Sequence, residues 1–454
     1  IAPYATFAQT YPKHELAPQA QYTAALTALD VEDYASAKKH SDTFLTQYPN
    51  DRLAADVLFI SAESRLLQED FAGAEQQYRN FLTKAPQHAS VPRARVRQAL
   101  ALHMAGKFAD AVASLEAAEA SLTDPTLKSE AQALIGRGLF SQQKYEQAAA
   151  ALEKSIATRS DRKESDETML VLADAYRQLN RGSESTSLLK KVVQQFPDSS
   201  RLDEAEFRLG EAAYELKQLD VAIAHYTTVI RRWPEGQFAP HAQYGLGWTY
   251  FNAQEFVRTI EAMTTLLERF GKSEVAPKGY YVRAMANYQI GELQAVINDV
   301  QAYLLTKPKL NDAQDARYVK GLALAGLKKF DEAATEYEAI LKAAPNYAAA
   351  DKVAYELAWA HVELGRQEQA VAAFQKLVGD YPSSPLAAES LFRVGESWYE
   401  AGDFVKAIPA YKAAYEKAGK TAIGENSLHK LAWSYLKAEQ LPQAGESFAA
   451  QLDA

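Results

Sequence analysis

Apolar residues recur along this chain at intervals of three and four, which is the spacing of an amphipathic α-helix. The stretches AEFRLGEAAYEL at 205–216 and VAIAHYTTVI at 221–230 show the pattern. Between such stretches lies a short segment carrying Gly, Asn or Asp, as in MAGKF at 104–108 and ELGRQ at 363–367, and these residues favour turns. The pattern therefore predicts an all-α chain built from pairs of helices, each pair joined by a short turn.

The helix pairs repeat with a period of 37 residues. Eight prolines are separated from one another by multiples of 37 residues, and we call the positions at this spacing the proline series. Several of these prolines directly follow an aromatic residue, as in VIRRWPEG at 229–236. Because proline lacks a backbone N–H and clashes with the preceding turn, each should end the second helix of its pair. The other positions of the proline series are occupied by Thr123, Ser160, Gly271 and Gly419. The eight prolines are Pro12, Pro49, Pro86, Pro197, Pro234, Pro308, Pro345 and Pro382.

We place position 1 of the repeat at Pro18. Residues 1–17 are then predicted to be the second helix of a truncated leading repeat, and 425–454 a truncated last repeat. Since the chain starts at Ile1, in the middle of a repeat, we expect it to be a fragment or mature form of a longer protein. Eleven full repeats span 18–424 and begin at residues 18, 55, 92, 129, 166, 203, 240, 277, 314, 351 and 388.

Small and large residues alternate at fixed positions of the repeat. Position 8 is Ala or Gly in all twelve cases, and position 20 is Ala except at Ser185, Thr259 and Val296. Positions 17 and 24 usually hold large residues. Small residues let two helix backbones approach and large ones fill the space around the contact, so we expect a looser contact at the three exceptions. Pro409 should weaken its second helix by up to ~3 kcal/mol if it is interior.

This combination of residues resembles the tetratricopeptide repeat over essentially the whole chain: Gly or Ala at position 8, aromatics near 11 and 12, Ala at 20, a ring at 24 and Pro at 32. The family unit is about 34 residues long, and the extra residues here follow position 32, as in PDSSRLDEAEF at 197–207. That longer unit is similar to repeats of bacterial cell-envelope proteins, such as the outer-membrane assembly lipoprotein and the periplasmic Tol-Pal coordinator. The resemblance implies a right-handed α-solenoid, or superhelix, of helix-turn-helix units in the bacterial periplasm or cell envelope, or otherwise in the cytoplasm.

By the same resemblance, the first helix of each repeat lines a concave groove, with positions 2, 5, 9, 12 and 13 facing it. Position 5 is aromatic in every repeat from the sixth to the eleventh. Tyrosine suits peptide capture because it offers a large contact area and a polar tip at little entropic cost. The alternative is that these rings mainly pack on neighbouring repeats. The predicted partner-binding residues are Phe207, Tyr214, Tyr244, Trp248, Phe251, Tyr281, Tyr288, Tyr318, Tyr355, Trp359, Phe392 and Tyr399.

Charged residues on this predicted groove differ between repeats. The third repeat carries Arg93, Arg95 and Arg97, which should lie on different helix faces, with only Arg93 at a groove position. The sixth repeat carries acids that would favour a basic partner segment. The alternative there is a solvated face with intrahelical pairs such as Glu204–Arg208. The acids are Glu204, Glu211 and Glu215, with Glu167 and Asp174 of the fifth repeat nearby.

Composition narrows the classes of function. Hydrophobic residues make up 48% and charged residues 24% of the 454 residues, enough apolar content for an ordered fold. A net charge of -9 argues against a nucleic-acid binder, which needs a basic face to neutralise phosphates. The chain has no cysteine, which excludes disulfides and thiol chemistry. No apolar run reaches the length of a membrane span, so we expect no membrane insertion within this chain.

Signals of catalysis are weak. Two histidines three or four residues apart are the usual sign of a metal site on a helix. The eight histidines of this chain include no such pair. GLGWTY at 245–250 has two glycines in a predicted helix, and SAKK at 36–39 matches only a short Ser-x-x-Lys string. We therefore expect no catalytic residue, metal or cofactor, and predict a non-catalytic scaffold that binds a partner protein or peptide. The alternatives are a self-associating structural module and an accessory polysaccharide-binding groove in an export system.

Overall fold

The chain forms two compact bodies in a computed structural model that describes residues 1–160 and 164–452. The N-terminal body is Ile1–Leu216 and the C-terminal body is Lys217–Ala454. All regular elements of the described residues are helices, which confirms the predicted all-α class. Residues 161–163 and 453–454, which belong to the predicted fourth full repeat and the truncated last repeat, lie outside the described residues.

The described residues of the N-terminal body form twelve α-helices and one short 3-10 helix. Even-numbered helices correspond to the first helix of a predicted repeat, and odd-numbered helices correspond to the second. The bounds are α1 Ala2–Thr10, α2 Ala17–Asp30, α3 Tyr34–Gln47, α4 Ala54–Leu67, α5 Phe71–Lys84, α6 Val91–Met104, α7 Phe108–Ala118 followed by the 3-10 turn Glu119–Ser121, α8 Pro125–Ser141, α9 Tyr145–Thr158, α10 Ser165–Gln178, α11 Gly182–Gln195 and α12 Leu202–Glu215.

The described residues of the C-terminal body form thirteen further helices with the same alternation. Their bounds are α13 Leu219–Arg232, α14 Ala239–Asn252, α15 Phe256–Arg269, α16 Ala276–Gln289, α17 Leu293–Leu305, α18 Leu310–Gly326, α19 Phe330–Ala343, α20 Ala350–Glu363, α21 Gln367–Asp380, α22 Ala387–Glu400, α23 Phe404–Ala418, α24 Ala422–Lys437 and α25 Leu441–Leu452.

Helices pack in chain order within each body. Each helix contacts the one before it and the one after it, and the first helices of several successive repeats also contact each other, as α16 and α18 do. Stacking of helix pairs on their nearest neighbours is the arrangement of an α-solenoid.

Close approach of the two helices in a repeat depends on the small residue at position 8. A Cβ atom added to Gly395 on α22 would lie 2.6 Å from Cδ1 of Tyr411 on α23. Glycine at this position therefore makes room for the large residue at position 24, as predicted. At position 20, the hydroxyl of Ser185 donates a 2.7 Å hydrogen bond to the carbonyl of Ala173 on the facing helix, so a polar contact joins the two helices of this repeat.

The eight prolines of the proline series lie just beyond the ends of the second helices, which confirms the prediction that they end these helices. Helix α5 ends at Lys84 and Pro86 follows, and α13 ends at Arg232 and Pro234 follows. Pro409, in contrast, lies inside α23, so that helix lacks one backbone donor.

The turn between the helices of a repeat is built on one left-handed residue. Every position-15 residue of the twelve repeats has a positive φ angle, from Glu32 at 61° to Glu439 at 58°. Glycine adopts this conformation without a steric cost, yet only four of the twelve are glycine. In the other eight repeats, packing of the two helices holds a residue with a side chain in this conformation.

Candidate partner-binding surface

The twelve predicted partner-binding residues all lie on first helices. Phe207 and Tyr214 belong to α12 in the N-terminal body, and the other ten belong to α14, α16, α18, α20 and α22 in the C-terminal body. Phe392 is buried, with 8% of its surface exposed, and the remaining eleven are half-buried. The ten rings of the C-terminal body fall at positions 5, 9 and 12, which share one side of a helix. We call this side of the five helices the tyrosine surface.

Position-5 rings on four of these helices pack against a ring from the second helix of the same repeat. Such pairs add to the stability gained from burial alone. Part of each ring therefore belongs to the core, as the packing alternative holds, while another part remains accessible. The centroid distances are 5.8 Å for Tyr281–Tyr303, 6.3 Å for Tyr318–Tyr337, 5.7 Å for Tyr355–Phe374 and 5.6 Å for Phe392–Tyr411.

Two phenols of the tyrosine surface are unusually weak acids. Burial, together with the nearby charge of Asp315, raises the pKa of Tyr281 to about 12. Burial and the charge of Glu356 raise the pKa of Tyr318 to about 12. Both phenols therefore keep their protons at physiological pH, so each can donate a hydrogen bond to an acceptor on a bound segment.

Carboxylates accompany these phenols. Asp315 on α18 accepts a 2.5 Å hydrogen bond from the hydroxyl of Tyr347, and Glu389 on α22 pairs with Arg393 at 3.0 Å. Glu356 on α20 is half-buried, and burial raises its pKa. The predicted charged groove residues came from the third, fifth and sixth repeats and did not include these acids, although Asp315 and Glu389 lie at position 2, which is a predicted groove position.

Polar contacts also join the first helices of consecutive repeats. In the N-terminal body, Glu63 at position 9 accepts a 2.6 Å hydrogen bond from the hydroxyl of Tyr78 at position 24. Its other oxygen lies 2.8 Å from Nη2 of Arg97, at position 6 of the next repeat. We call this arrangement of positions 24, 9 and 6 the junction triad. Glu396 makes the same contacts with Tyr411 and Lys430, and Asp174 pairs with Arg208 between positions 9 and 6.

The three arginines of the third repeat point in different directions, as predicted. Arg97 joins the junction triad, Arg95 donates a 3.2 Å hydrogen bond to the hydroxyl of Ser121, and the guanidinium of Arg93 lies 5.7 Å from the ring centroid of Phe59. Arg93 and Arg97 border a cavity of about 740 Å³ whose mixed charges favour neither an anion nor a cation. Its charged lining residues are Arg93, Arg97, Arg137, Asp124, Glu130, Glu164 and Glu167.

Of the three acids of the sixth repeat, only Glu215 is exposed. Glu204 is only 6% exposed and pairs with Arg201 at 3.0 Å and with Arg208 on its own helix. The predicted intrahelical pair Glu204–Arg208 is therefore present, but it is buried, which corrects the expectation of a solvated pair. Glu211 is half-buried, and burial raises its pKa.

Two further properties of the described residues bear on other site types. Residues 1–160 and 164–452 hold no group of three or more His, Asp or Glu side chains placed to bind a metal ion. Within the same part of the chain, every helix is too short or too polar to cross a lipid bilayer.

Helix pairs stacked in chain order, with aromatic first-helix surfaces, define the class of α-solenoid scaffolds. Two family profiles described as tetratricopeptide repeat match the chain, one at residues 22–89, 207–263, 301–348 and 355–422 and the other at 139–209. Since the first alone covers more than half of the residues, the chain belongs to the tetratricopeptide-repeat family. This family consists in general of non-catalytic modules for protein interaction.

Several solved structures are similar to this chain at low sequence identity, and no curated protein sequence matches it. MamA is 22% identical over 40% of this chain and 93% of its own, with a TM-score of 0.35. The APC/C hetero-tetramer Cut9-Hcn1 is 12% identical over 99% and 89%, with a TM-score of 0.38. PilW, a type IV pilus biogenesis factor, is 16% identical over 49% and 97%, with a TM-score of 0.42.

Proposed function

We propose that this protein is a non-catalytic scaffold whose tyrosine surface captures an extended segment of a partner protein. The observation that carries the proposal is the repetition of half-buried rings, at position 5 of successive repeats, from Tyr244 through Tyr281 and Tyr318 to Tyr355. A rigid row with one ring per repeat offers an extended chain a series of equivalent contacts. Half-buried aromatics are typical anchors of protein interfaces.

The phenol hydroxyls supply the polar part of this surface. With the pKa of Tyr281 and Tyr318 at about 12, both hydroxyls are donors at neutral pH. The backbone carbonyls of an extended segment are unpaired acceptors, so hydrogen bonds to them stabilise binding without requiring a particular side chain. The rings are held by core packing, and little conformational entropy is lost when the segment binds.

We further propose that the scaffold works in assembly of the bacterial cell envelope, in the periplasm. The 37-residue unit with a Pro-x-Ser-Ser connection, which resembles repeats of cell-envelope proteins, supports this location. We also propose that residues 18–424 are divided into eleven full repeats of 37 residues. Fractionation of the source cells, followed by immunodetection of the protein, tests the location, and recovery in the cytoplasmic fraction contradicts it.

Pull-down from native extract after chemical cross-linking tests the scaffold function. A variant with Tyr281→Phe, Tyr318→Phe and Tyr355→Phe keeps the packed rings and loses three hydroxyls, so it should remain folded and capture the partner at least about tenfold less well. The matched control carries Tyr250→Phe, Tyr280→Phe and Tyr435→Phe, three half-buried tyrosines at other helix positions. Equal capture by the two variants, or no captured protein with the wild type, contradicts the proposal.

The two alternatives separate from this proposal by direct measurements. A self-associating module shows a mass in light scattering that rises with protein concentration, whereas a scaffold of this kind remains at the mass of one chain. A polysaccharide groove captures glycans instead of protein in the same pull-down.

A further inference from the structure

One complete junction triad shows how the chain neutralises its own surface acids. Glu396 on α22 accepts a 2.5 Å hydrogen bond from the hydroxyl of Tyr411 and pairs with Lys430 of the next repeat at 2.9 Å. The ammonium group of Lys430 also lies 5.0 Å from the ring centroid of Tyr399. Here the cation, the carboxylate and the phenol all come from this chain.

The junction between α18 and α20 has the same phenol but a different set of charges. Tyr337 occupies the position of Tyr411, the residue at position 9 is Leu322 in place of an acid, and position 6 of the next repeat is Glu356 in place of a base. Tyr337 is fully buried, and its hydroxyl has no hydrogen-bond partner among the described residues. The ring of Tyr318 lies beside it, with centroids 6.3 Å apart.

No base within the described residues forms an ion pair with Glu356. Arg393 is engaged with Glu389 at 3.0 Å, and Lys320 is engaged with an acid on α19 at 2.7 Å. Lys352, one turn earlier on α20, is exposed and lies beyond ion-pair distance. At three junctions of the described residues an acid at position 9 pairs with a base at position 6 of the next repeat, in the pairs Glu63–Arg97, Asp174–Arg208 and Glu396–Lys430. This junction instead places a half-buried carboxylate near a buried phenol.

We propose that Glu356, beside Tyr318 and Tyr337, binds a lysine or arginine side chain of the captured segment, which supplies the positive charge that Lys430 supplies at the complete junction. Hydrogen bonds between a cation and a carboxylate are the strong ones at such sites, and aromatic faces add attraction for the cation. The inference deepens the proposed scaffold function, on which it rests: the partner segment is basic at the point where it crosses α20.

The probe for this subsite is a fluorescent decapeptide of alternating serine and lysine, with a serine–glutamine decapeptide as the neutral counterpart. Fluorescence anisotropy should show binding of the lysine peptide alone. Glu356→Gln should weaken that binding about tenfold. The matched control Glu363→Gln removes the same charge from an exposed position on the same helix and should change affinity less than about twofold.

A second variant covers the case in which the single substitution disturbs the fold. Leu322→Glu with Glu356→Lys rebuilds the triad from this chain, so it should remain folded and lose binding of the lysine peptide about as far as Glu356→Gln does. Equal weakening by Glu356→Gln and Glu363→Gln overturns the proposal. So does lysine-peptide binding by the double variant at wild-type strength.

The scaffold function and the basic subsite fail in different ways. If the natural partner is still captured at wild-type strength by Glu356→Gln, the scaffold function stands and the subsite is overturned. If the wild type captures no protein but binds the lysine peptide through Glu356, the subsite stands and the scaffold function is overturned.

Discussion

The hydroxyl of Tyr381 donates a 3.0 Å hydrogen bond to the carbonyl of Pro345, the proline that follows the second helix of the preceding repeat. Tyr48 makes the same bond to Pro12 at 2.9 Å. At these two places an aromatic–proline pair ends a helix and also joins its repeat to the preceding one. At three other prolines of the series, a basic side chain donates the hydrogen bond to the carbonyl. The donors are Lys84, Arg269 and Lys417, and the acceptors are Pro49, Pro234 and Pro382 in the same order.

Removing the hydroxyl group of Tyr381 should weaken the contact between these two repeats. Tyr381→Phe keeps the ring and loses the bond to Pro345, so we expect the free energy of unfolding to fall by about 1 kcal/mol. Urea titration followed by circular dichroism measures the change. Tyr11→Phe is the control, because Tyr11 has the same position in the repeat but is exposed, and it should have little effect. Equal changes in both variants contradict the assignment.

Backbone conformation at position 15 gives a pair of opposite predictions. Lys328 and Gly365 have φ angles of 61° and 68°. Lys328→Gly removes the crowding of a Cβ atom in the left-handed region, so it should stabilise the protein by about 0.5–1 kcal/mol. Gly365→Ala should destabilise it by about 1 kcal/mol. No atom lies within 4 Å of the added Cβ at Gly365, so steric overlap cannot produce that loss. Thermal unfolding of both variants checks the two signs.

Low pH should disrupt the junction triad of Tyr78, Glu63 and Arg97, because Glu63 becomes protonated. Burial acts to raise the pKa of Glu63, but the hydrogen bonds and charge of Arg97 outweigh it, and the net pKa lies below the ordinary value. A group whose pKa is lowered by folding stabilises the protein above its unfolded pKa, about 4.3, and this contribution disappears as pH falls through the folded value. Urea unfolding from pH 7 to pH 3 should therefore show a larger loss for the wild type than for Glu63→Gln. Parallel pH curves contradict this account.

Glu356 should show the opposite pH dependence. Burial raises the pKa of this carboxyl, so its ionised form costs stability at pH 7, and the cost disappears below the unfolded pKa of about 4.3. Glu356→Gln should therefore raise the free energy of unfolding at pH 7 and leave it nearly unchanged at pH 3. A variant that is less stable at pH 7 indicates that Glu356 has a stabilising partner within the chain.

The repeat itself could be predicted from sequence because it depends on local rules. Proline at position 32 cannot continue a helix, and Gly or Ala at position 8, as at Gly395, permits close packing of helices. The left-handed turns were only partly predictable. Residues such as Glu32 and Lys328 have no local preference for that conformation, and packing of the two helices imposes it on them.

The candidate surface could be predicted only as far as its position-5 rings. The importance of Glu356 does not appear within a single repeat, where it is one acid among many. It becomes visible when position 6 is compared between repeats, since Arg97, Arg393 and Lys430 are basic there. The burial of the Tyr337 hydroxyl without a hydrogen-bond partner among the described residues depends on three-dimensional packing, which the sequence does not show.

The most direct test of the central claim is site-specific photo-cross-linking in the source cells. A photoreactive phenylalanine at Lys278 or Lys352 is exposed at position 2 of a first helix, beside the tyrosine surface, whereas one at Val257 or Val405 is exposed on a second helix. We predict that irradiation joins a partner protein to the two first-helix sites and not to the two second-helix sites. Adducts at the second-helix sites alone, or at none of the four, would contradict capture by the tyrosine surface.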